Sequence, residues 1–214
     1  MNTPQFLNIL LAVALVILSV KIAFFDTKEV PTNATTASAE EVIMQNILTR
    51  TSIRAYQDKV VEAEKEEQLL RAAMAAPTAR NTQPWRFVVI KDRAILQNIA
   101  DNFSSMKVAA SAPLAIVVCG DLQSAIPGAG VDYWIQDASA ATKNLLLAAH
   151  GLGLGAVWCG VTPLPERVAH FKELLALPDH ILPLNVIPIG YPAEDPAPKN
   201  KWKPEHIHYD GWKE

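Results

Sequence analysis

Cysteine is close to absent. The 214 residues hold two, Cys119 and Cys159, far apart and without Cys-x-x-Cys spacing, which excludes a zinc ribbon or a multi-bridge disulfide scaffold. Both lie in apolar runs and read as buried thiols, with one long-range bridge between them as the alternative. Histidine is sparse too. His150, His170, His180, His206 and His208 show no metal-ligand spacing, and structural or surface roles are expected for all. No nucleophile elbow and no paired-carboxylate motif occurs. An excess of charge is also missing, since 19 basic and 22 acidic residues leave a formal net charge of -3. That excludes an extended nucleic-acid surface, and any basic site has to be a local cluster. Apolar residues, by contrast, make up 50% of the chain, enough for a core in one domain with an appendage.

The appendage is N-terminal. Residues 6–25 read FLNILLAVALVILSVKIAFF, with Asn8, Ser19 and Lys21 as polar interruptions. About twenty mostly apolar residues can span a bilayer as a helix, and Lys21 stands where its stem can reach the interface. No Lys or Arg precedes the run and no small-x-small site follows it directly. Residues 1–25 therefore read as a retained membrane anchor, with a cleaved signal segment as the alternative. Lys21 and Lys28 both follow the run and favour a cytoplasmic body, but only weakly, and the side of the membrane stays open. Residues 26–39 (DTKEVPTNATTASA) are the expected linker, so the body spans 40–214.

Within the body, Val42, Ile43, Ile47 and Leu48 mark an apolar helix face over 40–48. A Glu-, Lys-, Leu- and Ala-rich stretch predicts a second helix over 62–75. Pro77 ends it, and the polar loop 78–84 follows. Residues 85–90 (WRFVVI) read as a strand, 94–102 as a short helix and 114–119 (LAIVVC) as a buried strand. The longest helix is expected over 131–150, where Val131, Trp134, Ile135, Ala138, Ala141, Leu145, Leu146 and Ala149 keep one apolar stripe. Gly151 is its expected C-cap. Strands over 156–159 and 184–189 flank a helix over 165–175, and the Pro- and Lys-rich residues from 191 should run extended over a surface. The long helix is no crossover in a regular βαβ series, so an α+β layered fold is favoured over a doubly wound one.

Two polar segments carry the chemistry. In Arg50-Thr51-Ser52-Ile53-Arg54-Ala55-Tyr56, arginines four apart with hydroxyls between them can gather around an anion, since guanidinium offers phosphate a planar fork of donors. The plainer alternative is a solvated helix end meeting the macrodipole. In Ala76-Pro77-Thr78-Ala79-Arg80-Asn81-Thr82-Gln83-Pro84-Trp85, primary amides that both donate and accept suit a heterocycle edge. Turn chemistry would account for the prolines and Asn81 but not for the whole pattern.

These two segments, in this order, resemble the FMN-dependent nitroreductases. Residues 151–160 (GLGLGAVWCG) resemble that family's G-x-G-x-x-W-x-G segment, residues 189–192 (IGYP) its G-Y-P turn, and the lysine-rich tail through Trp212 its closing segment. The resemblance runs from residue 40 to the C-terminus. A dinucleotide-binding glycine loop is rejected for 151–160, because these glycines follow a helix and precede a strand.

The resemblance implies a nitroreductase-like α+β fold. A central, mainly antiparallel sheet would be flanked by helices around a long central helix, here preceded by an N-terminal hydrophobic helix. It implies FMN as cofactor, NAD(P)H as donor, and an acceptor such as a nitroaromatic or quinone, used in a ping-pong cycle. Flavin binding without turnover, reductive dehalogenation, flavin destruction and an unrelated membrane-attached binding module remain the alternatives. Family members are homodimers with sites at the subunit interface, so the stripe of the long helix is either a dimer surface or ordinary core. Arg50, Thr51, Ser52 and Arg54 would hold the phosphate and the pyrimidine side of the ring. Pro77, Thr78 and Asn81, with Gln83 behind them, would lie along the isoalloxazine from the partner subunit. Trp158, Cys159 and Gly160 would approach the hydride-accepting edge through their backbone. Lys201, then Lys199, would meet the phosphate, while Lys203 faces solvent. The flavin carries the chemistry, so no catalytic side chain and no metal are expected. The tail lacks the arginine that many members place there, and Thr51 and Thr78 are milder departures.

Overall fold

The computed structural model describes residues 37–212. The expected N-terminal hydrophobic helix and most of the linker lie outside the described residues. Among the described residues no helix is long and apolar enough to cross a membrane. The chain divides into two units, Met1–Val42 and Ile43–Glu214. In the first unit Ser38 Oγ accepts the Glu41 amide at 3.1 Å, and Glu41 Oε2 accepts the Ser38 amide at 2.7 Å. This reciprocal cap satisfies two orphan donors at the start of α1 (Ala39–Thr49).

The second unit is built on a five-stranded antiparallel sheet. Its strands are β1 (Trp85–Ile90), β2 (Leu114–Asp121), β3 (Gly155–Ala156), β4 (Cys159–Gly160) and β5 (Ile181–Gly190). Their order is β1-β2-β5-β3, with β4 also on β5. β2 is buried along its whole length because helices cover both faces of the sheet, and its side chains alternate between two cores. Leu114, Ile116 and Val118 join one core with α2 (Ala63–Met74) and α4 (Tyr133–Gly151). Ala115, Val117 and Cys119 join the other with α3 (Arg93–Asn102) and α5 (Pro165–Leu174). Both cysteines are buried and free, so the alternative of a bridge falls.

The stripe of the long helix resolves to ordinary core. Trp134, Ala138, Ala141, Leu145, Leu146 and Ala149 all pack in the first cluster against the sheet. A Cβ on Gly120 of β2 would stand 2.2 Å from Trp134 Cε3, so the indole needs glycine beneath it. The face of α1 behaves in the opposite way: Val42, Ile43, Met44, Ile47 and Leu48 are all exposed. Gly151 proves to be the last helical residue of α4, and Gly153 takes the left-handed conformation at φ 72°. Gly153 N donates to His150 O at 3.0 Å and Leu154 N to Ala149 O at 2.8 Å, the two bonds of a Schellman ending.

The single strand expected over 156–159 is two short pieces in one register on β5, with Ala156 opposite Ile189 and Cys159 opposite Val186. That register sets Val157 against Pro188, which has no amide hydrogen for the ladder. The Pro188 carbonyl is met by Tyr56, whose Oη lies 2.9 Å from both Pro188 O and Ile53 O.

Gly120→Ala is expected to cost about 1–3 kcal/mol through overpacking against Trp134. A lowered urea midpoint at unchanged m-value would show it, and an unchanged midpoint would refute this packing account.

Candidate functional site

Residues 50–57 form an irregular strap across the open edge of the sheet. Ile53 N donates to Ala156 O at 3.2 Å, Gln57 N to Tyr191 O at 2.9 Å, and Ala193 N to Ala55 O at 2.9 Å. Arg54 N donates to Glu194 Oε1 at 2.5 Å. The approach is close because side chains are missing below it. A Cβ on Gly155 would stand 2.6 Å from Ile53 Cγ2, and one on Gly190 would meet Pro113 Cδ at 2.7 Å and Tyr56 Cδ1 at 3.1 Å.

Beside the strap lies a pocket of about 290 Å³ whose walls include Arg50, Thr51, Leu146, His150, Leu154 and Glu194. Arg50 Nη1 donates to Thr51 O at 3.0 Å, while Arg50 Nε is buried without a hydrogen-bond partner. An orphaned buried donor is expensive, and a ligand acceptor would relieve it. Thr49 Oγ1 lies 3.0 Å from His150 Nε2. Burial, and then the Arg50 charge, hold His150 below its ordinary value. Lys143 is held below the ordinary lysine value by burial, then by the charges of Arg50 and Lys201. Lys143 thus stands within electrostatic reach of both Arg50 and Lys201. Among the described residues no ion pair engages any of them. Such a cluster is suited to a multiply charged anion.

The loop after α2 is strained. Arg80, Asn81 and Gln83 have φ of 53°, 55° and 49°, a region that costs non-glycine residues on the order of 1 kcal/mol or more each. Side-chain tethers hold it there. Asp137 Oδ1 accepts the Ala79 amide at 2.9 Å, Thr78 Oγ1 accepts Gln83 N at 3.2 Å, and Gln83 Nε2 donates to Asn81 Oδ1 at 3.0 Å. Arg86 Nη1 reaches Gln83 O at 3.3 Å and Trp85 O at 2.8 Å, while its Nη2 donates to Asp121 Oδ2 at 2.6 Å. Pro77, Asn81 and Gln83 are exposed and Thr78 is half-buried. None of the four lines the Arg50 pocket of its own protomer.

At the other segment Trp158 is exposed and Cys159 buried. Burial pushes the Cys159 thiol up to about 11 against the opposing pull of Arg54 and Arg167, so it is no thiolate nucleophile near neutrality. A Cβ on Gly160 would meet nothing nearer than Trp158 Nε1 at 4.0 Å, which leaves that peptide open to a flat ligand. Arg167 Nη1 donates to Gly160 O at 2.7 Å and fixes its orientation.

The expected residues thus divide into groups. Arg50 and Thr51 line the pocket, and Lys201 is brought near Arg50 through Lys143. Ser52 is half-buried and Arg54 exposed, both beside the pocket wall and not in it. Lys199 is exposed on the tail and shows no link to Arg50 or Lys143. Sequence reading missed Lys143, Asp137 and Arg167, and gave His150 a structural or surface role although it lines the pocket. The available signal was helical spacing, since Lys143, Leu146 and His150 recur on one face.

The profile of the nitroreductase family matches residues 47–129 and 102–191, which together take in the strap, the strained loop, the long helix and Gly190-Tyr191. The chain belongs to the nitroreductase family. A relative from Methanothermobacter thermautotrophicus, provisionally named an NADH dehydrogenase/NAD(P)H nitroreductase, is 44% identical over 171 residues, 79% of this chain and 87% of its own. A crystal structure from Parabacteroides distasonis with the same provisional name gives a TM-score of 0.76 at 45% identity, covering 79% of this chain and 98% of its own. A nitroreductase homologue from Desulfovibrio desulfuricans, crystallised with FMN, gives 0.68 at 32% identity over 80% and 98%.

The Arg86 clamp on this family member's strained loop depends on Asp121. Burial acts to raise the Asp121 carboxyl, but hydrogen bonds from Ser124 Oγ and the Gln123 amide, with the Arg86 charge, hold it below the ordinary carboxylate value. A depressed carboxylate stabilises the fold above its unfolded pKa, and loses that contribution as pH falls through the folded value. Asp121→Asn should therefore flatten the acid limb of a profile of thermal midpoint against pH. An acid limb like that of the parent protein would discount the clamp.

Proposed function

We propose that this nitroreductase-family protein is an NAD(P)H-dependent FMN oxidoreductase. The observation that carries the cofactor assignment is Arg50 at the pocket, its Nε buried and unpartnered, with Lys143 and Lys201 adding positive charge nearby. The FMN complex of the Desulfovibrio relative and the names of the nicotinamide-dependent relatives support the same reading.

Bound FMN would supply two-electron transfer between a nicotinamide and an acceptor, and the protein residues bind and orient. Arg50, Thr51 and Ser52, joined by Lys201 and then Lys199, would hold the phosphate. Arg54 would stand at the pyrimidine side, where positive charge favours a reduced, anionic ring. The backbone of Trp158, Cys159 and Gly160 would face the ring edge, with Gly160 held by Arg167. Donor and acceptor would use this edge in turn, a ping-pong order, with a nitroaromatic or quinone as the acceptor class.

The protein acts as a homodimer in this reading. Pro77, Thr78, Asn81 and Gln83 lie off the Arg50 pocket of their own protomer and would reach the partner's site. The apolar face of α1 and the indoles of Trp202 and Trp212 are exposed, as surfaces destined for a second copy would be. The apolar residues 6–25 would tether the assembly to a membrane.

Protein spanning residues 40–214 should purify yellow, and NADH or NADPH should bleach it under anaerobic conditions. Colourless protein that takes up no FMN would overturn the cofactor assignment, and yellow protein that neither nucleotide bleaches would favour flavin binding without turnover. Arg50→Ala and Asn81→Ala should each weaken FMN retention about tenfold or more, as expected for lost hydrogen bonds to charged or buried groups. Unchanged affinity in both would discredit the site.

A further inference from the structure

We propose that Lys143, on α4, is a further anion-holding residue beside the Arg50 pocket and sets its preference for a phosphorylated flavin over an unphosphorylated one. This rests on the FMN reading and assigns a role to a residue outside the recognised motifs.

The placement follows from helix geometry. Leu146 and His150 of α4 line the pocket, and residues three, four and seven apart share one helix face. Lys143 stands three before Leu146 and seven before His150, roughly 10 Å along the axis from the imidazole position at 1.5 Å per residue. Its side chain therefore rises from the same face as the pocket wall, one turn beyond it.

Its chain neighbours have structural tasks that Lys143 lacks. Thr142 Oγ1 donates to Ala138 O at 2.8 Å and accepts from Asn185 Nδ2 at 3.0 Å, and Asn144 Nδ2 donates to Ala72 O at 3.1 Å. Lys143 is exposed, and among the described residues no carboxylate pairs with it. Burial first, and then the nearby charges of Arg50 and Lys201, lower its proton affinity. Like charges gathered without a counter-ion repel, and a dianion placed between them turns each repulsion into an attraction. The pocket's two acids, Glu194 and Asp195, form no ion pair with Lys143, Arg50 or Lys201 among the described residues, and Glu194 Oε1 accepts the Arg54 amide. A terminal phosphate on an otherwise uncharged flavin chain has the required charge, and riboflavin, the same molecule without it, does not.

The test is a fluorescence titration of the full chain with FMN and with riboflavin, for the parent protein, Lys143→Met and Lys143→Arg. Lys143→Met should raise the FMN Kd about tenfold, the lower range for a charged hydrogen bond at an exposed site, and leave the riboflavin Kd unchanged. Lys143→Arg should return FMN affinity to within about twofold, and added salt should shrink the FMN advantage more in the parent than in Lys143→Met. An unchanged FMN-to-riboflavin ratio in Lys143→Met would overturn this inference alone. Equal losses for both flavins would also overturn it, by making Lys143 structural. A parent chain that binds neither flavin would overturn the cofactor reading, and this inference with it.

Discussion

How closely the 50–57 strap can approach β5 decides the rest of the site. β5 is covered on this side only by the short β3 and β4, and between them Pro188 has no hydrogen to give to the ladder. The Tyr56 hydroxyl comes within 2.9 Å of the Pro188 carbonyl from a residue 132 positions earlier. Gly155 and Gly190 remove the Cβ atoms that would hold Ile53 and Tyr56 away. With the strap seated, Arg50 leaves the end of α1 beside His150 of α4, and the chain after Tyr191 is laced to the strap through Gln57 and Ala193. Three segments remote in sequence thus converge because two glycines and one proline shape a single edge. A side chain at Gly155 would displace all three.

Arginines elsewhere in the molecule show what a structural one looks like. Arg86 spends its donors on Asp121, Ser124 and two backbone carbonyls. Arg93 ties Ala110 O and Ala112 O, and Arg167 joins Gly160 O to Ser105. Arg71 pairs with Glu67 one turn away. Arg50 instead bonds the carbonyl of its own neighbour and leaves a buried nitrogen unused. The distinction between holding the fold and awaiting a ligand lies in that unused donor, and a net charge of -3 conceals it.

Much of the fold was legible because its signals are local. The strand WRFVVI is found at Trp85–Ile90 as expected, and the helices lie within about two residues of their expected bounds, where such boundaries ordinarily scatter. What escaped depends on distant residues. The break between β3 and β4 is caused by Pro188 on the facing strand. Gly151 was the expected C-cap of the long helix, but the tertiary course of the chain placed the left-handed turn at Gly153. The apolar stripes of α1 and α4 look alike on paper, yet one is exposed and the other is core. Arg50 and Thr51, singled out through ordered motifs, do line one pocket, while Lys143 carries no motif and is noticed only through its helix position relative to Leu146 and His150.

The strained loop bears on why the fold tolerates cost away from its core. Glycine at residues 80, 81 and 83 would relax the left-handed backbone almost freely. The chain keeps Arg, Asn and Gln there and sets Asp137, Thr78 and Arg86 to hold them. Strain maintained by dedicated tethers implies that the side chains themselves are needed. Gln83 donates to Asn81 Oδ1, so the Asn81 amide presents its nitrogen as the remaining donor, suited to an acceptor atom on a heterocycle edge. Both amides are exposed in the protomer that carries them and absent from its Arg50 pocket. A donor prepared at such expense and lying outside its own Arg50 pocket is what the proposed homodimer puts to use, because in that reading it serves the pocket of a second copy.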